Sequence, residues 1–277
     1  MNNLKQTDIS LKHKNTIAQV LRYTLVLYII AFCLKLYKGA VISSILVVEY
    51  GFSELFSYWV EKGVAIVLIF CLIGLFFKFT YKFSLVIITF FLVSYGLLSY
   101  FNGGKAFLEL SLVSAISKWW LPILTIYALS GYFKNRNYNM TWFGLAIQFS
   151  IFLIFASHGL GCLLHNGLYV DYIIGFVGDY TPYSIKQQQA EIWLTIIGIV
   201  DILVAVLVLF KPFKWLMYWL IFWGILTTLL RVVDASILNY AEFLIRVPHF
   251  GLPLALLIVQ NAKNKHSQTS YENKTPC

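Results

Sequence analysis

The residues with chemistry to offer gather in the second half of the chain: His158, Asp201, Arg231, Glu242, Arg246 and His249. Each interrupts a stretch dominated by Leu, Ile, Val and Phe. In hydrocarbon such a group costs at least ~2.5 kcal/mol, so it usually faces a protein interior. Asp201 lies ten residues, or about 15 Å of helix, beyond Glu191, with no interface nearby. It must be neutral, paired with Arg or His, or exposed to a polar cavity. Glu242 and Arg246 are four apart and His249 follows by three, a spacing that puts all three on one helical face. The pattern suits proton handling by His158, Asp201 and His249, with Arg231 and Arg246 holding an anionic substrate or a ligand oxygen and Glu242 a further substrate-binding residue. A structural role is the competing account: Arg231 and Glu242 at helix ends can anchor an interface, and His158 can satisfy a backbone carbonyl. The first half is thinner in such groups, with Lys35, Glu109 and Lys118 as its candidates.

The elements that position these residues follow from composition. Of 277 residues, 60% are apolar, 18% aromatic and 12% charged, against about 25% charged in a soluble domain. That composition predicts an all-α polytopic membrane protein. A span needs about 20 mainly apolar residues, and eight fit near 17–37, 60–79, 83–101, 108–130, 141–164, 190–210, 213–231 and 242–261. Breaks fall at polar or turn-forming runs such as Lys78 to Lys82, Asn102-Gly103-Gly104 and Lys211-Pro212. Alternation of the barrel-strand kind is absent. The basic start before the first span resembles a secretory signal, but Lys35, Leu36, Tyr37 and Lys38 offer no small-x-small cleavage site, so it reads as a retained helix.

Charge sets the expected orientation. Twelve of the 21 basic residues, including Lys5, Lys12, Lys14, Lys78, Lys82, Lys134, Arg136, Lys211 and Lys214, fall in the tails and in alternate loops. The positive-inside rule then places both termini in the cytoplasm. The net charge of +9 is explained by these flanks, which meet anionic headgroups, and no nucleic-acid motif accompanies it. The polar segment 263–277 reads as a mobile cytoplasmic tail.

The layout repeats. Leu121-Pro122 and Leu252-Pro253 stand 131 residues apart, and basic turns at 78–82 and 211–214 join corresponding spans. The expected division is a first four-helix unit at 1–135 and a second at 136–262, with a site between or within them. Other motifs carry less. Cys33, Cys71, Cys162 and Cys277 lack Cys-x-x-Cys or zinc spacing, so no metal is expected. His158-Gly159-Leu160-Gly161 follows no strand and is no nucleotide fingerprint. Haem between His158 and His249 is a minor alternative.

Ser157-His158-Gly159, Gly198-Ile-Val-Asp201, the turn at 210–212, Thr227-Thr228 with Arg231, and Glu242-x-x-x-Arg246 leading to Gly251-Leu-Pro-Leu-Ala-Leu256 follow an order that resembles the DoxX-like family of bacterial four-helix membrane proteins. The resemblance covers about 140–262; the first half matches in helix layout alone, and the family usually has glutamate where Asp201 stands. It implies a bacterial inner-membrane protein, a subunit associated with a redox or quinone-linked system, whose partner would be another membrane or periplasmic redox subunit. The expected pocket lies in the outer half of the second bundle. A transporter of a small solute and a non-catalytic assembly factor are the competing functions.

Overall fold

A computed structural model describes residues 2–39, 42–102, 108–134, 139–229 and 237–272. Every regular element among them is helical, because in lipid the backbone must satisfy its own polar groups. In chain order these are α1 (Asn2–Lys38), α2 (Ser43–Val48), α3 (Glu54–Gly74), α4 (Tyr81–Asn102), α5 (Leu108–Lys134), α6 (Met140–Leu163), α7 (Gly167–Tyr180), α8 (Gln187–Phe210), α9 (Lys214–Leu229), α10 (Ile237–Leu244) and α11 (Pro248–Glu272). Caps fix several starts: Ser53 accepts from the Phe56 amide, Asn139 from Thr141 and Trp142, and Asn166 from Leu168.

Among the described residues, seven stretches are long and apolar enough to cross a membrane: His13–Lys38, α3, α4, Leu112–Phe133, α6, α8 and Tyr240–Ala262. The expected seventh span is present as α9, apolar but 16 residues long, followed by residues outside the described set. The chain is thus an all-α, multi-pass membrane protein. Its outward faces carry Phe70, Ile73, Phe90, Leu203 and Phe222, exposed in the isolated chain as lipid-facing side chains are.

Three details go beyond the expected layout. The last span is not one continuous helix over 242–261: α10 ends at Leu244, a turn occupies 245–247, and Pro248 opens α11, which runs on through Pro253. Pro248 pushes the residue before it out of the α region and suits a first helical position. Helix α11 runs on past 262 as far as Glu272. Both long connections hold helices, α2 and α7.

Helices α1, α3, α4 and α5 pack as one group, and α6, α8, α9 and α11 as another. The groups meet reciprocally, α1 against α11 and α5 against α6. One core runs through both, from Leu21, Leu25 and Tyr28 to Leu121, Ile147, Leu252 and Leu256. At this seam Gly251 lies directly on Thr24, leaving no room for a larger residue on α11.

Candidate functional site

The site begins where α6 crosses α8. A Cβ on Gly159 would lie 2.9 Å from the Gly198 carbonyl oxygen, and one on Gly198 would lie 2.8 Å from that of Gly159. Two glycines therefore let the backbones touch. The crossing brings their neighbours His158 and Asp201 together, Nδ1 to Oδ2, at 2.6 Å. Trp223 of α9 donates from Nε1 to the other carboxylate oxygen at 3.0 Å. Asp201 is 1% exposed, yet both oxygens are engaged, which is how a buried carboxylate is kept. In the tautomer protonated at Nδ1, His158 donates to this carboxylate and Nε2 is the nitrogen left for exchange. The imidazole also rests against the Tyr169 ring, with centroids 5.3 Å apart.

Beside His158 lies a cavity of about 710 Å³. Its walls come from α6 (Ile154, Ser157, His158), α5 (Leu110, Ser114, Lys118), the start of α7 (Leu168, Tyr169, Asp171) and the α10–α11 break (Glu242, Ile245, Arg246, His249). His249 donates from Nδ1 to the Arg246 carbonyl at 3.0 Å and meets Phe155 edge-on. Glu242 pairs across the seam with Lys35 of α1 at 2.5 Å. Lys118, Arg246 and two imidazoles line the cavity together with Glu242 and Asp171, a set that offers donors to electron-rich oxygens.

Of the residues singled out from sequence, His158, Glu242, Arg246 and His249 share this cavity. Asp201 is not on its surface; it stands behind His158 and orients it. Arg231 lies outside the described residues. The continuous helical face expected to carry Glu242, Arg246 and His249 is cut by the turn at 245–247, and that turn delivers them to the cavity. The cavity is also not enclosed by the second four-helix group. It lies on the seam, with α5 as one wall and no lining residue from α8 or α9, because reciprocal packing leaves its space between the groups.

Sequence reasoning missed Trp223, Tyr169 and Asp171, and gave Lys35 and Lys118 too little weight. For Lys118 a signal existed. It precedes Pro122 by four residues as His249 precedes Pro253, so the repeat offset pairs two basic residues that share the cavity. His165, at the end of α6, instead meets Thr195 at 2.9 Å. Comparison with known proteins finds no matching family model, no matching curated protein and no matching solved structure.

Proposed function

We propose that this protein is an integral subunit of a redox system that holds a quinone, or a ligand with comparable electron-rich oxygens, in the seam cavity. The observation that carries the reading is His158 itself: its Nδ1 is fixed by buried Asp201, and its ring forms a wall shared with Lys118 and Arg246. The cavity's volume and donor set fit such a group. When bound, a quinone supplies two-electron, two-proton chemistry, its electrons coming from a redox partner. Lys118 and Arg246 would orient an oxygen, and His158 would pass a proton at Nε2 while Asp201 stabilises the imidazolium. The resemblance to the DoxX-like family and the basic cytoplasmic flanks belong to the same reading: an inner-membrane protein with both termini inside.

The test is native mass spectrometry of gently solubilised protein, followed by titration with tail-less quinones. Bound or exchangeable quinone is expected, and Asp201→Asn should weaken it by about tenfold, equivalent to ~1.4 kcal/mol. Protein that neither carries nor exchanges quinone overturns the reading. One observation favours a transporter instead: the broken α10–α11 segment lines the cavity between two helix groups, as in carriers with discontinuous helices. Proteoliposome uptake of a small anion, abolished by Lys118→Met, would select that reading.

A further inference from the structure

A second cavity, of about 200 Å³, adjoins the first and shares Ser114, Lys118 and Ile245 with it. It is cut into the first helix group, between α1, α4 and α5. Four aromatic rings stand among its walls, Tyr28 and Phe32 from α1, Tyr95 from α4 and Trp119 from α5, beside Lys35, Ser99, Ser114 and Lys118. Phe32 meets Tyr28 and Tyr95 edge-to-face, with centroids 5.3 and 5.1 Å away. Trp119 is held by its Nε1–H bond to the Leu92 carbonyl at 2.9 Å. These contacts hold the aromatic rings in place, and Lys35 and Lys118 line the same slot.

We infer that this slot is a ring subsite, and that the ligand of the seam cavity carries an aromatic ring beyond its oxygen-bearing part. The inference rests on the reading of the larger cavity as a ligand site. Aromatic walls reward a flat ring more than a flexible chain, and a cavity of about 200 Å³ admits one six-membered ring. Lys118 stands at the junction, where it can meet an oxygen on the ligand while the ring passes beyond it. A fused bicyclic quinone satisfies both compartments; a single-ring quinone fills only the first.

The experiment compares a tail-less naphthoquinone with a tail-less dimethoxybenzoquinone on purified full-length protein, by equilibrium binding. The naphthoquinone should bind about tenfold more tightly. Ala115 lines only the small cavity, so Ala115→Phe should remove that preference by weakening the naphthoquinone alone. Ala115→Leu, a smaller intrusion, should do so in part and covers the case of a variant that folds poorly. Equal affinity for the two probes in the parent protein, or equal weakening of both by Ala115→Phe, overturns the ring subsite and leaves the larger cavity's assignment intact. Binding of neither probe overturns that assignment itself.

Discussion

At the scale of single residues, Asp201 decides the most. Its carboxylate is buried at mid-helix and held by the imidazole of His158 and the indole of Trp223. Removing one partner of a buried charged pair costs about 3–5 kcal/mol, chiefly through the charge left behind. A neutral interhelical hydrogen bond in a membrane averages only ~0.6 kcal/mol. Hence His158→Ala should lower the thermal midpoint in detergent far more than Trp223→Phe. Adding Asp201→Asn to His158→Ala should recover part of the loss, since the stranded charge is gone. A double variant no more stable than His158→Ala would show that Asp201 is not held as an anion. The need of Asp201 for a partner was legible in the sequence, because insertion cost alone demands one. The identity of that partner was not, since depth cannot say which faces meet. Trp223 gave no signal at all among eight tryptophans, most of them suited to interfaces.

At the scale of elements, the Gly159–Gly198 crossing sets the geometry. Neither carbonyl can yield to a methyl group arriving at 2.8–2.9 Å, so the helices themselves must separate. Gly159→Ala should therefore cost about 1–3 kcal/mol, as overpacking does, and weaken ligand binding by parting His158 from Asp201. Gly63→Ala is the matched control: nothing lies within 4 Å of its added Cβ, and helix propensity favours alanine by up to ~1 kcal/mol. A stability screen in which both substitutions behave alike would contradict the crossing. Helix α7 makes a separate case. It buries Val170 and Val177 and turns Leu168, Tyr172, Phe176 and Tyr180 outward at a four-residue spacing. Bracketed by the ends of two spans, that stripe belongs in the headgroup layer. The fluorescence of Phe176→Trp should be quenched by lipids brominated near the headgroup more than by aqueous acrylamide. Spans were legible because hydropathy integrates over about 20 residues. The break at 245–247 was not, since Ile-Arg-Val contains no turn former and Pro248 was its sole mark.

At the scale of the whole molecule, the question is whether either half suffices. The seam is built by both: α1 lies on α11, α5 lies on α6, and one core runs across. Lys35 of the first group pairs with Glu242 of the second, and Lys118 lines the cavity with His158, Arg246 and His249. A chain cut between α5 and α6 loses one short connection and none of these contacts. Segments 1–135 and 136–277, produced together, should therefore reassemble and bind ligand close to the uncut affinity. Segment 136–277 alone keeps the His158–Asp201–Trp223 chain but has lost one wall and two cations, so its binding should fall by at least about tenfold. Lys118→Met in the intact protein should reproduce much of that fall with the fold preserved. If the second segment alone bound as tightly as the whole, the site would belong to one bundle and the seam would serve packing only. Reciprocal contact predicts otherwise, because the cavity exists only where the two groups meet.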